Sequence, residues 1–360
     1  MNPMKRAVLI RADGAKHLGM GHIVRCLNFA QTLKIHGIES IFVTRDFEDT
    51  VVNRIKMDGF KVHTIIHNSS FREDAMMTGQ LAESSSVLCV IVDLSSEENL
   101  AQREKFVEYF KMLKTENMSL VAFDDFKKID FSFNLQVIPY YGAQDIDYRF
   151  FDKTKYLLGC SYYIADPGLV EKVKFPREIK EKARKILVTI GGTDLHNLSV
   201  DVAQSLANLD VPDLEVKFIL GTCFEEGIKT QINNILRNFQ GSCELCYNNQ
   251  IPDLMLWSDL VITGVGLTRY EAALTGTPNI CVTREDLKIF QYDRFVTSGT
   301  SIHLTIPDST YSHRITEKMQ QLLNNFDARK RMHETGKKLI DGKGAERIIA
   351  ELEERIFSLR

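Results

Sequence analysis

A histidine directly behind two glycines, where a strand-like segment gives way to a helix-like one, is the feature of this 360-residue chain best suited to chemistry. The run reads Arg11-Ala12-Asp13-Gly14-Ala15-Lys16-His17-Leu18-Gly19-Met20-Gly21-His22, between an apolar stretch at 6–10 and a helical pattern at 23–33. Gly19 and Gly21 allow a phosphate or sugar to approach the backbone closely, with open N–H groups at the helix start. His22 then stands beside the bound group as a candidate base. Taken alone, a histidine there is more readily a residue packed under the turn. His17 reads as an ordinary loop histidine.

Two later junctions have the same grammar. Ile190-Gly191-Gly192-Thr193-Asp194, followed by Asn197, ends a strand-like run in paired glycines whose main-chain donors suit a diphosphate. The plain alternative is a tight turn with Asp194 or Asn197 as a helix cap. Thr263-Gly264-Val265-Gly266-Leu267-Thr268-Arg269-Tyr270-Glu271 places a carboxylate just inside the next helix. The two oxygens of Glu271 match a ribose diol, and its neighbours Tyr270, Ala272, Ala273 and Leu274 are apolar, so a charge there calls for a partner. Asp93 and the pair Asp124-Asp125 close strand-like runs, where α/β proteins build their sites and where either could orient His22 or a sugar hydroxyl. Helix capping explains these carboxylates nearly as well.

The elements that must position these residues alternate along the whole chain. Strand-like runs at 7–10, 40–43, 62–66, 87–92 and 120–123 are separated by helical patterns at 23–36, 49–58, 72–84 and 97–114, with short strands at 134–138 and 156–158. The grammar restarts at 186–190 after a charged, Pro-containing stretch at 171–185, and the last helical patterns fall at 328–339 and 345–357. Such alternation predicts parallel sheets built from βαβ units. The expectation is an α/β chain of two doubly wound Rossmann-like domains facing each other across a cleft. Residues 1–168 form the first domain, 169–185 the linker and 186–360 the second. Ligands are expected at the C-terminal sheet edges.

Bulk properties narrow the class. Hydrophobic content of 44% and charged content of 26% fit a soluble globular protein, and a net charge of −3 gives no general attraction to nucleic acid or anionic lipid. No apolar run approaches the roughly 18–20 residues a membrane span needs, and no signal-peptide core precedes Arg11, so the expected location is the cytoplasm. The seven cysteines fall mostly in strand-like runs, as buried reduced thiols do. Cys243 and Cys246 form a lone pair at C-x-x-C spacing inside a strand-like run, which indicates no zinc site.

Together the three junctions resemble a known family. Arg11-Ala12-Asp13…Leu18-Gly19-Met20-Gly21-His22-Ile23-Val24-Arg25-Cys26-Leu27, Gly191-Gly192-Thr193-Asp194…Asn197-Leu198-Ser199 and Gly264-Val265-Gly266-Leu267-Thr268-Arg269-Tyr270-Glu271 are similar, in order and spacing, to the signature blocks of the UDP-sugar hydrolases of pseudaminic acid biosynthesis. That PseG family is itself related to spore-coat polysaccharide proteins of the SpsG type. The resemblance covers roughly residues 7 to 300. It implies a GT-B fold related to the transferase MurG, and hydrolysis of a UDP-linked diacetamido-trideoxy hexose to UDP and free sugar.

By the same resemblance His22 is the base that activates water at the anomeric carbon. Arg11, Asp13, Gly19, Gly21, Arg25, Asp93, Asp125 and Asn197 would line the sugar side. Gly191, Gly192, Thr193, Asp194, Gly264, Gly266, Leu267, Thr268 and Glu271 would hold the nucleotide, Glu271 at the ribose. No metal and no cofactor is implied, and the partner is the UDP-sugar alone. Two departures bear on the sugar: Leu94 follows Asp93 where the family often carries a histidine, and Leu267 stands where a serine is common. The same residues would serve a GT-B glycosyltransferase using a UDP-amino sugar donor, with His22 deprotonating an acceptor hydroxyl. A non-catalytic sugar-nucleotide binding protein is the third reading.

Overall fold

Alternate residues of the first strand feed two different cores. In β1 (Ala7–Ala12) all six residues are buried. Val8 and Ile10 join one apolar cluster, whereas Ala7 and Leu9 join another on the opposite face. A strand buried on both faces belongs in the middle of a parallel sheet covered by helices, and its unbroken apolar run follows from that position.

The computed structural model describes residues 6–15, 18–47, 49–94, 103–115, 118–123, 129–145, 153–192, 194, 196–211, 213–221, 224–247, 251–284, 294–306 and 311–358. These fall into two compact units, 1–167 with 342–360, and 168–341. Among the described residues, no helix is long and apolar enough to cross a membrane.

The first unit runs β1, α1 (Gly21–Ile35), β2 (Glu39–Arg45), α2 (Asp49–Met57), β3 (Lys61–Ile65), α3 (Phe71–Ser84), β4 (Cys89–Asp93), α4 (Arg103–Leu113), β5 (Ser119–Phe123), β6 (Leu135–Ile138) and β7 (Lys155–Leu158). Its sheet has the order β3-β2-β1-β4-β5-β6-β7, with every neighbouring pair parallel. Helix α3 starts where a capping box dictates: Ser70 accepts from the Glu73 N–H while Glu73 reaches back to the Ser70 N–H.

The second unit begins with α5 (Pro167–Lys172), whose first residue lies at the boundary. It continues through β8 (Lys185–Thr189), α6 (Leu198–Ala207), β9 (Glu215–Ile219), α7 (Glu226–Leu236), β10 (Ser242–Cys246), α8 (Ile251–Trp257), β11 (Leu260–Thr263), α9 (Thr268–Thr275), β12 (Asn279–Arg284), β13 (Ser301–Ile306), α10 (Tyr311–Asn324) and α11 (Phe326–Leu339). The sheet order is β10-β9-β8-β11-β12-β13, again parallel throughout. Ile186 and Val188 of β8 enter one core and Leu187 the other. The architecture is therefore two doubly wound Rossmann-like α/β units.

The domain limits differ from those the sequence suggests in two respects. The charged stretch at 171–185 is packed onto the second unit: Arg177 donates to the Met255 and Ser258 carbonyls and to Thr277 Oγ1, and Arg329 donates to the Lys180 and Glu181 carbonyls. Burial pushes the Arg177 guanidinium down to about 10, the mark of a side chain enclosed by its own unit. The last helix, α12 (Gly344–Leu352), returns to the first unit, where Ala345, Ile348, Ile349 and Leu352 join the core built on Val8 and Ile10. Gly344 permits this docking, because a β-carbon there would lie 2.1 Å from the Tyr163 carbonyl oxygen. The chain thus crosses between units at 167/168 and again at 341/342.

Candidate active site

Each sheet reverses its strand order once, and the glycine-bearing junctions flank those reversals. In the first unit the reversal lies between β1 and β4, with Ala12 in register with Asp93. The chain leaving β1 leads to α1, and Asp93 is the last residue of β4. In doubly wound sheets this is where the loops part in opposite directions and leave room for a ligand.

Helix α1 begins at Gly21 behind Met20, and no side chain caps it. His22, Arg25 and Cys26 stand at i, i+3 and i+4, so all three face the end of β4. His22 Nδ1 lies 2.6 Å from Asp93 Oδ1. Arg25 donates to the same carboxylate twice, Nη2 to Oδ1 at 2.6 Å and Nε to Oδ2 at 2.8 Å. Cys26 Sγ approaches Oδ2 at 3.3 Å, and Arg25 Nη1 donates to the Tyr140 hydroxyl at 2.7 Å.

The electrostatics follow from that crowding. Asp93 is fully buried, which alone would raise its pKa; Arg25 and His22 overcome this and hold the carboxyl far below the usual range. Cys26 is pushed the other way by burial and by Asp93, and remains a thiol. An ionised Asp93 can only accept, so the proton between it and His22 belongs to Nδ1. In the uncharged imidazole that tautomer puts the lone pair on Nε2. The His22 side chain is 18% exposed, whereas Asp93 and Arg25 are shut away behind it.

Arg11 and Asp13, expected on the sugar side, form a second network instead. Arg11 is 1% exposed and spends its donors on Asp74 and Asp13: Nε on Asp74 Oδ1 at 3.0 Å, Nη2 on Asp74 Oδ2 at 2.7 Å, and Nη1 on Asp13 Oδ1 at 2.5 Å. Its guanidinium is buried within these ion pairs. Asp13 also accepts the Arg45 N–H at 2.8 Å. Asp74 takes the Tyr109 hydroxyl and Arg45 Nε as well. Arg25, assigned to the sugar on the sequence, likewise spends its donors on Asp93 and Tyr140, so it supports the dyad from behind. Gly19 has φ +77°, which favours glycine, and Gly21 opens α1 at the surface. His17, Asp124, Asp125 and Thr193 lie outside the described residues.

In the second unit the reversal lies between β8 and β11. Gly191 (φ +126°) and Gly192 leave β8 with open space at their β-carbon positions. Gly221, behind β9, is packed so tightly that a β-carbon would sit 2.4 Å from the Gly192 carbonyl oxygen. Gly264, behind β11, is pressed against β8's end: a β-carbon would lie 2.6 Å from the Ile190 oxygen. Gly266 is exposed with open space about it, and Leu267 starts α9 without a side-chain cap. Thr268 and Glu271 in its first turn are half-buried.

Asp194 takes up the helix-capping geometry that the sequence offered as its alternative reading. It is 7% exposed, and its two oxygens accept the Leu198 and Ser199 N–H groups, each at 2.8 Å. A carboxylate thus occupies two of the open donors at the start of α6. Asn197 sits at that helix start with φ +55° and caps nothing through its side chain. Of the lone cysteine pair, burial pushes Cys243 up to about 12 and Cys246 in the same direction, which favours the thiol form.

No protein-family profile matches the chain. Among solved structures it is similar to Acinetobacter baumannii MurG, with a TM-score of 0.66 and 10% identity over 97% of this chain and 99% of that one. The fold is that of the GT-B glycosyltransferases. The Neisseria meningitidis UDP-GlcNAc 2-epimerase bound to UDP-GlcNAc shares this GT-B fold, with a TM-score of 0.60 and 14% identity over 97% of this chain and all of that one. In sequence the chain is 23% identical over 352 residues to the Bacillus subtilis spore coat polysaccharide biosynthesis protein SpsG, covering 96% of this chain and 97% of that protein. It is 28% identical over 311 residues to an uncharacterized protein of Methanocaldococcus jannaschii, covering 84% of this chain but only 60% of that relative's length.

Proposed function

We propose that this protein hydrolyses a UDP-linked diacetamido-trideoxy hexose to UDP and the free sugar, in the making of a nonulosonic acid of the pseudaminic type. The observation that carries this reading is His22 at the β1/β4 reversal, its Nδ1 2.6 Å from the buried Asp93 carboxylate. Nε2 takes a proton from water as the water oxygen bonds to the anomeric carbon. The bond from that carbon to the UDP oxygen breaks, its electron pair leaving with UDP, and His22 later releases its proton to solvent. Attack opposite the departing group inverts the anomeric centre.

The leaving group departs easily once donors meet its phosphates, so one base suffices. In this reading the open backbone of Gly191, Gly192, Gly264 and Gly266 meets the diphosphate and Glu271 accepts from the ribose hydroxyls, with Leu267 and Thr268 beside them. Support comes from the likeness to SpsG and from the fold shared with an epimerase bound to UDP-GlcNAc and with Staphylococcus aureus MnaA in its UDP co-structure. The test is incubation of the purified protein with a panel of UDP-diacetamido sugars in buffer alone. UDP release without acceptor supports hydrolysis. Release that appears only when an acceptor alcohol is added supports a glycosyltransferase, the reading favoured by the fold shared with MurG.

A further inference from the structure

The ion-pair network of Arg11, Asp13, Asp74 and Arg45 holds the start of the loop that leads to His22. We infer that Asp13, clamped by Arg11, is a positioning residue for His22, acting through the contact of Gly14 with Ile23. The inference rests on the proposed role of His22 and reassigns Asp13 from the substrate to the loop.

The linkage can be followed atom by atom. Asp13 is the first residue beyond β1. Its Oδ1 and Oδ2 accept Arg11 Nη1 and Nη2 at 2.5 and 2.8 Å, and Oδ1 also accepts the Arg45 N–H at the end of β2. Arg11 is held in turn by Asp74 of α3, and Asp74 by the Tyr109 hydroxyl of α4. Two strands and two helices therefore fix where the chain leaves the sheet. Gly14 comes next, and a β-carbon on it would lie 2.8 Å from Ile23 Cγ1 and 3.4 Å from Val51. Its backbone is thus seated directly on the residue that follows His22. Further on, the Leu18 and Gly19 N–H groups both donate to the Ala15 carbonyl, at 3.1 and 2.8 Å. A shift at Asp13 is passed by Gly14 directly to Ile23, in the first turn of α1. The 2.6 Å contact between His22 and Asp93 sits on that turn.

The experiment follows the His22 ring directly. The protein is labelled with nitrogen-15 histidine, and the Nδ1–H proton of His22 is assigned by its loss in His22→Gln. Asp13→Asn keeps the shape of the side chain and removes its charge. Gly14→Ala keeps every ion pair and pushes on Ile23, and it decides the matter if Asp13→Asn proves insoluble. Both are expected to shift or broaden the Nδ1–H signal, and to lower kcat about tenfold or more while KM and UDP affinity stay within about twofold. An unshifted Nδ1–H signal in a folded Gly14→Ala protein overturns the inference, whatever substrate the enzyme uses. Loss of UDP affinity together with kcat overturns it too, because Asp13 would then be acting on the ligand. Absence of the Nδ1–H signal in the wild type would instead count against the dyad itself.

Discussion

His22 Nδ1 and Asp93 Oδ1 lie 2.6 Å apart, although 71 residues separate them in sequence. The contact joins the helix that follows β1 to the end of β4, the two strands between which the sheet order reverses, so the fold itself brings the candidate base and a carboxylate together. Asp93→Asn offers an amide that can donate to Nδ1 and so favour the wrong tautomer. His22→Gln and Asp93→Asn are each expected to lower kcat by roughly 10²-fold or more, with UDP affinity by calorimetry unchanged. The double variant should be little worse than either single one, since the two act as a unit. Additive losses would separate them.

Asp74 gives a stability prediction with a definite sign in pH. Burial would raise its pKa, but Arg11, Arg45 and Tyr109 hold it below the usual range. A folded pKa below the unfolded one stabilises the protein above about pH 4, and that contribution is lost as pH falls through the folded value. Asp74→Ala strands the Arg11 guanidinium and is expected to cost about 3–5 kcal/mol in urea denaturation at pH 7. The difference from wild type should shrink below about pH 4. A gap that does not vary with pH would show that the charge of Asp74 is not what stabilises.

Much of this was legible from the residues. The strand–glycine–helix junctions are local signals, and a carboxylate at a strand end is a positional one, so His22, Gly264, Gly266 and Asp93 could be singled out. What β1 and α3 do to each other could not. Arg11 and Asp74 are 63 residues apart, and only the folded sheet makes their charges meet. Tyr140 was missed for the same reason: it stands two residues past β6 with no motif around it. Asp194 carried two readings, ligand and cap, and the choice depended on where its loop turns. The helical pattern at 345–357 shows an apolar face but not which sheet receives it; Gly344 against Tyr163 supplies that answer only in three dimensions.

The two glycines behind β11 should respond differently to a single methyl group. At Gly264 the methyl meets the Ile190 carbonyl at 2.6 Å, and both atoms belong to the ends of adjacent strands. Gly264→Ala is expected to cost about 1–3 kcal/mol of stability. At Gly266 the methyl meets open space. Gly266→Ala should stay within about 0.5 kcal/mol of wild type and, if the proposed diphosphate site is correct, still bind UDP more weakly, because the methyl would narrow the space given to the diphosphate. Equal thermal shifts for the two variants would contradict this.

Glu271 is, in the proposed function, the nucleotide contact with the clearest chemistry. Charge-assisted hydrogen bonds to the ribose diol are worth at most about 1.5–3 kcal/mol each. Glu271→Ala should therefore weaken UDP by roughly tenfold or more, with the half-buried position leaving the fold intact. Binding of UDP to this variant at wild-type affinity would remove Glu271 from the ribose.

The central claim is that water, activated by His22, attacks the anomeric carbon of a UDP-sugar. Turnover in water enriched in the heavy oxygen isotope, followed by mass spectrometry of both products, tests it most directly. The account predicts one heavy oxygen in the free sugar, at the anomeric hydroxyl, none in UDP, and no turnover above background in His22→Gln. Heavy oxygen in UDP would mean cleavage at phosphorus, and an absence of free sugar until an acceptor is supplied would mean transfer; either result contradicts it.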